Sequence, residues 1–156
     1  MGAHYREATL ADIDAMARIR EQGRWTGGAP AQRMALYLAG QHHPQHALAP
    51  RVIYVAEEDG SLIGFIAGHR TRRFGCDGEL QWIFVSPEAR GSDAASQLLR
   101  RLAAWFLGQG ARRVCVDVDP ANTAARRFYR KHGADDLNEH WLVWPDVQVV
   151  LDPPMT

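Results

Sequence analysis

Between Glu79 and Phe106 an apolar strand, a turn of small residues and a long amphipathic helix follow one another, and that junction has the residue types to hold an anion. The turn reads Arg90-Gly91-Ser92-Asp93-Ala94-Ala95-Ser96, and apolar residues then recur at Ala95, Leu98, Leu99, Leu102, Trp105 and Phe106, the spacing of one helix face. A helix therefore opens near Ser92. Its first-turn amides have no partner inside the helix, and the aligned peptide dipoles put partial positive charge at the same end. Small side chains at Gly91, Ser92, Ala94, Ala95 and Ser96 let a phosphate-sized group reach those donors. Asp93 is read as a capping residue whose charge the dipole favours. A second cluster lies further on, where Asn122 and Tyr129 stand two helical turns apart and so project from one side. One ligand can touch both; the plainer reading makes Asn122 an N-cap and Tyr129 a core residue.

Positioning these residues takes a sheet with helices against it. Glu79 to Val85 is rich in aromatic and branched residues and is closed by Ser86-Pro87, where proline removes a ladder donor. Upstream, Tyr5 to Ala8 forms a short strand, and Thr9 caps a helix with Leu10, Ile13, Met16 and Ala17 on one side. Pro30 opens a second helix in which Met34, Tyr37 and Leu38 share a face, ended by Gly40. Arg51 to Glu57 and Leu62 to His69 flank Glu58-Asp59-Gly60-Ser61, an Asp-Gly hairpin signal. Arg113 to Val118 is a near-continuous apolar strand, buried on both faces, and the long helix before it makes a parallel crossover natural. A helix over Thr123 to Lys131 sits between Asn122 and Gly133. Leu137 to Trp144 and Val147 to Leu151 are expected as two closing strands joined at Pro145-Asp146. The order β-α-α-β-β-β-α-β-α-β-β gives the α/β class, with a mixed, mostly antiparallel sheet and flanking helices.

A chain of 156 residues with 46% hydrophobic content suits a single domain over 1–156. Lys plus Arg and Asp plus Glu both count 18, so no overall field draws nucleic acid or an anionic membrane surface. The amino-terminal residues lack a signal-peptide core and the apolar runs are too short to cross a bilayer. Cys76 and Cys115 make neither a disulfide framework nor a metal spacing, and His42, His43 and His46 share a proline-containing loop with no carboxylate or thiolate beside them. A reduced, cytoplasmic protein without a metal is expected.

Together the two clusters resemble the GNAT N-acetyltransferases. That family's pyrophosphate loop has the pattern Q/R-x-x-G-x-G/A after a strand; Arg90, Gly91 and Ala95 fit it, and Asp93 stands where the central glycine usually is. Asn122 to Gly133 is similar to the family's N-x-x-A-x-x-F/L-Y-x-x-x-G segment. The element order extends the resemblance over nearly the whole chain, strongly from Glu79 to Ala134 and weakly before Arg51. The resemblance implies a GNAT-like acyl-CoA N-acyltransferase fold with acetyl-CoA as cofactor. Its pyrophosphate is expected at Arg90, Gly91, Ser92, Asp93, Ala94, Ala95 and Ser96, and its arm along the strand at Phe84 and Val85, whose N–H groups meet the thioester oxygen. Asn122 is expected near that arm and Tyr129 near the sulfur. Acetyl transfer needs an uncharged amine, a donor to the oxyanion and a proton for the thiolate. Tyr129 is the candidate acid and Glu79 the candidate base, with a solvated strand-end carboxylate as the plainer reading of Glu79. Arg126, Arg130 and Lys131 are candidates for the remaining phosphate.

The acceptor pocket is expected between the first two helices and the last hairpin. Trp25, Tyr37, Trp141 and Trp144 would wall it and Asp135, Asp136 and Glu139 would charge it, which suits a cationic amine, while the plainer reading of each aromatic taken singly is a core residue. The function expected is direct transfer from acetyl-CoA to a primary amine of a small molecule. A protein amino terminus or lysine as acceptor, a non-catalytic interaction module and a homodimer stay open.

Overall fold

A computed structural model describes residues 2–21, 30–42, 44–89 and 92–152. Strand β1 (His4–Glu7) leads through a 3-10 turn at Leu10–Asp12 into α1 (Ile13–Glu21), and α2 (Pro30–Leu38) follows. Next come β2 (Leu48–Glu58), β3 (Ser61–Arg70) and β4 (Gly78–Val85), then α3 (Ala94–Gly108) and β5 (Val114–Asp117). The chain closes with α4 (Thr123–Lys131), β6 (Asp135–Asp136), β7 (Trp141–Trp144) and α5 (Gln148–Leu151). Among the described residues the sheet has the order β1-β2-β3-β4-β5-β7-β6. Its one parallel pair is β4 with β5, on either side of the α3 crossover.

The β2–β3 hairpin turns at Asp59 and Gly60, both left-handed at φ 52° and 81°. Asp-Gly tolerates that pair of angles, which matches the twist of the strands it joins. Period-two alternation then divides two cores across the sheet. Val52, Ala56, Ile66 and Leu80 pack with Leu98, Leu102 and Phe106 of α3, while Ile53, Val55, Phe65 and Ala67 pack with Met16 of α1 and Met34 and Tyr37 of α2. Gly78 lets α3 lie close to β4, because a Cβ there would stand 2.4 Å from Phe106 Cε1.

The closing strands differ from expectation. Leu137 to Asn138 and His140 lie outside the strand, which is confined to Trp141–Trp144, and Val147 to Leu151 is not a strand but contains the short α5. Asp146 Oδ1 accepts from the Gln148 N–H at 3.0 Å and opens a helical turn. Val147, Val150 and Leu151 then fall on one face, which packs into the core beside α3. Burial against a helix decides the form of this branched segment, over its strand propensity.

Candidate active site

Strand β4 runs for eight residues and β5 for four. Their pairing covers only Gly78, Glu79 and Leu80 of β4, against Val114, Cys115 and Val116. Beyond Leu80 the two strands part: β5 stays beside the β7 side, where the Val118 N–H bonds the His140 carbonyl in register, and Asp119 Oδ1 then accepts from the Ala121 N–H in the turn toward α4. From Gln81 to Val85, β4 therefore has an edge with no strand beside it among the described residues. A β-bulge sharpens the parting, since Ala67 pairs with Trp82 and Gly68 with Leu80, leaving Gln81 as the extra residue. Phe84 and Val85 lie half-buried along this open edge.

On the α3 side of the sheet stands the expected anion site. Arg90 and Gly91 lie outside the described residues. Asp93 occupies the N-cap position of α3, yet its side chain makes no capping bond; Asp93 Oδ2 accepts from Gln97 Nε2 at 3.2 Å instead. The cap is Ser92, whose Oγ accepts from the Ala94 N–H at 3.3 Å and donates to the Ala89 carbonyl at 2.5 Å. Ser96 Oγ is within 3.1 Å of His132 Nε2, which ties α3 to the end of α4. Burial, then Lys131 and Arg100, lower the His132 imidazole below its ordinary value, so it is neutral near pH 7. With both hydroxyls engaged, the donors left among the described residues include the Ala95 and Ser96 amides, which have no backbone partner there.

Asn122 caps α4, its Oδ1 accepting from the Ala125 N–H at 3.1 Å. Tyr129 sits on the same side of the sheet, 5% exposed within the α3 core, with the Trp144 ring edge-on at 5.7 Å. Burial alone raises its phenol above the ordinary value. Arg126 donates to the Glu139 carbonyl at 3.2 Å and Arg130 meets both Asp136 oxygens at 2.8 Å, and the two line a second cavity with Thr123, Arg127 and Lys131.

The other face of the sheet carries a cavity of about 610 Å³. Arg20, His69, Arg73, Glu79, Asp117 and Trp141 are among its lining residues. Glu79 is 6% exposed, so the solvated strand-end reading is wrong. Its Oε1 lies 3.1 Å from Arg73 Nε and 3.6 Å from His69 Nε2. Arg73 also lies over the Trp141 ring, 5.4 Å from its centroid.

Several expected pocket residues are elsewhere. Tyr37 is fully buried and does not line the cavity; its hydroxyl lies 2.9 Å from His69 Nδ1. Trp144 is also fully buried, its Nε1 donating to the His132 carbonyl, because so large a ring gains most from complete burial. Trp25 lies outside the described residues. Asp135, Asp136 and Glu139 are not in the cavity lining, whose carboxylates are Glu79, Asp117 and Asp119. His69, Arg73 and Asp117 escaped the sequence reading. A charged residue ending an otherwise apolar strand was the available signal for Asp117, and the antiparallel register opposite Glu79 was the signal for His69.

Glu79 and Tyr129 thus lie on opposite faces of the sheet, and a ligand that touches both must pass through the β4–β5 parting. Residues 18–134 match the Acetyltransferase (GNAT) family. The chain belongs to that family. Acetyl-CoA is the co-substrate of GNAT proteins. A Mycobacterium tuberculosis protein named as an uncharacterized N-acetyltransferase is 34% identical over 83 residues, covering 53% of this chain and 52% of that protein. The chain thus matches about half the length of that relative. The mycothiol acetyltransferase of Thermobispora bispora is 33% identical over 132 residues, covering 81% of this chain and 42% of that protein. The fold is that of the PaiA N-acetyltransferase of Thermoplasma acidophilum, solved with coenzyme A, at a TM-score of 0.71 and 15% identity over 94% of this chain and 99% of that one.

Proposed function

We propose that this GNAT domain moves the acetyl group of acetyl-CoA directly to a primary amine of a small molecule. The observation that carries the reading is the open edge of β4 from Gln81 to Val85, lying between the α3 mouth on one face and the Glu79 cavity on the other. In this reading the Ala95 and Ser96 amides hold the pyrophosphate, and the arm of the cofactor lies along β4, where an N–H near Phe84 or Val85 meets the thioester oxygen. Asn122 keeps its capping bond and borders the arm. Glu79 takes the ammonium proton of the acceptor. Tyr129 donates to the departing sulfur. Burial makes the phenol a weaker acid, but a thiolate expelled into the same dry region is raised as well, so the two stay matched. The two cysteines are free and buried, and burial raises both thiols, which argues against a covalent acyl-enzyme.

The cavity has Glu79, Asp117 and Asp119 to receive an ammonium, with Arg20 and Arg73 in the same lining offsetting part of that charge, and its volume of about 610 Å³ is on the scale of a small-molecule site. The test is thiol release from acetyl-CoA across a panel of amines and a peptide array, with hydrogen exchange read on the same protein. Expected are turnover with some small amines, an unlabelled array, and new protection of Gln81 to Val85 when acetyl-CoA binds. Labelled peptides would move the acceptor to a protein amino terminus or lysine. No acetyl-CoA binding at millimolar ligand would leave an interaction module, for which the Asp93 carboxylate at the α3 mouth is the supporting observation.

A further inference from the structure

Behind Glu79 three buried polar groups converge in a way that acetyl transfer by itself does not require. Tyr37 and His69 are 0% and 1% exposed, and the Tyr37 hydroxyl lies 2.9 Å from His69 Nδ1. His69 Nε2 and Glu79 Oε1 are each buried without a hydrogen bond, and they face each other at 3.6 Å. Arg73 Nε, buried likewise, lies 3.1 Å from the same Oε1. A buried polar atom without a partner is expensive, so the proton positions can be worked out by elimination. If His69 carried its proton on Nδ1 and gave it to Tyr37, the phenol hydrogen would have no acceptor among the described residues, and a bare Nε2 would face a carboxylate. If Tyr37 donates to Nδ1, the phenol is satisfied and Nε2–H points at Glu79. Burial, the largest influence on Tyr37, holds its phenol well above the ordinary value and so keeps it a donor.

We propose that Tyr37 and His69 are positioning residues for Glu79: the phenol locks the His69 tautomer, and His69 Nε2–H with Arg73 Nε–H occupies Oε1, leaving Oε2 to receive the acceptor's ammonium proton. The role given to Glu79 rests on the proposed function, while the tautomer lock does not. His69 Nε2, at 3.6 Å, needs a few tenths of an ångström of closure, and Arg73 Nε, already at 3.1 Å, needs its N–H turned toward Oε1, adjustments that apo sites commonly require. The step balances simply: the N–H bond of the ammonium breaks, an O–H bond forms at Oε2, and the freed lone pair attacks the thioester. The other charged and titratable groups around this chain are Arg51, 5.1 Å from the Tyr37 ring centroid, and the His42 ring at 6.0 Å. Arg20, His46, Asp117, Asp119 and His140 line the cavity beside Glu79.

The test has two independent arms. Nitrogen-15 NMR of the free wild-type protein should show His69 as the Nε2–H tautomer, and Tyr37→Phe should release that preference. The Nδ1–H tautomer in wild type overturns the inference. In the kinetic arm, His69→Leu should lower kcat about 10- to 100-fold, the scale of a lost hydrogen bond to a charged group, with the acetyl-CoA KM little changed. His69→Gln, which keeps an N–H near Oε1, should restore most of the rate, whereas equal rates for all three proteins overturn the inference. If wild type turns over no amine, the acetyltransferase reading has failed, and the tautomer in the free protein decides the lock alone.

Discussion

Replacing Tyr129 by Phe separates chemistry from folding in the proposed mechanism, because the ring packs in the core while the proton transfer is assigned to the hydroxyl. The ring is 5% exposed and touches Phe128 and Trp144, at centroid distances of 5.6 and 5.7 Å, and Phe keeps both contacts. Burial is the one influence that shifts the phenol, with no hydrogen bond or charge among its causes. Deleting the oxygen therefore breaks no hydrogen bond among the described residues. The expected stability change is within about 1 kcal/mol of zero, or roughly 2–4 °C in melting temperature for a domain of this size. Loss of a positioned general acid lowers the rate by about 10²- to 10⁴-fold. Calorimetry should find acetyl-CoA affinity nearly unchanged, since a proton needed only as the sulfur leaves is not a ground-state contact. The assay is thiol release with the best amine of the panel, beside a thermal melt. An unchanged kcat would remove Tyr129 from the chemistry; a melt lowered by far more than a few degrees would mean that the hydroxyl is structurally bonded.

Glu79→Gln keeps the side-chain shape in its buried site and should lower kcat by about 10²- to 10⁴-fold with the acetyl-CoA KM unchanged, measured by steady-state thiol release. Asp77 Oδ2 accepts from the N–H groups of Arg112 and Arg113 at 3.0 and 3.1 Å, and these bonds, Arg112 first, hold its carboxyl below the ordinary value. Its contribution is present above the unfolded carboxylate value of about 3.9 and is lost as pH falls through the lower folded value. Asp77→Asn should therefore cost about 1 kcal/mol at pH 7 and much less near pH 3 in urea unfolding, and equal costs at both would refute the assignment. Gly78→Ala puts a methyl 2.4 Å from Cε1 of Phe106, a ring 1% exposed, and should cost about 1–3 kcal/mol by overpacking. The same change in a Phe106→Leu background should cost less, which a double-mutant cycle measures.

Much of this architecture was legible because local chemistry admits few alternatives. Asp59-Gly60 reads as a hairpin turn since both residues accept left-handed angles, and the structure has both at positive φ. Asn122 and Gly133 bracket α4 as cap and stop, and the helix runs over Thr123–Lys131. The acceptor side was less legible for a physical reason. Aromatic residues are drawn to the core and to pockets alike, and sequence does not say which: Tyr37 and Trp144 are fully buried, and Trp141 alone of the described candidates lines the cavity. Charged residues gave the opposite difficulty. Asp136 has its own arginine on the surface, while Asp117, read within an apolar strand, borders the cavity. The pairing of His69 with Glu79 needs the β3–β4 register, and the bulge at Gln81 shifts every residue beyond it.

The mismatch between an eight-residue β4 and a four-residue β5 has a consequence in backbone accounting. Peptide groups at the middle of a sheet ordinarily find partners on both sides, because an unpaired buried N–H or C=O costs about 1–3 kcal/mol. Here β5 departs into the Asp119-Pro120 turn, and proline has no N–H with which to prolong the ladder. The groups from Gln81 to Val85 on that edge have no strand partner among the described residues and are open to a ligand with amides of its own, and the arm of acetyl-CoA carries two. An arm bound there completes the sheet as a missing strand would, so backbone geometry rather than side-chain identity supplies that part of the recognition. In the proposed reading the labour within the site is then divided: the backbone edge would hold the arm, and the side chains of the Glu79 cavity would select the amine.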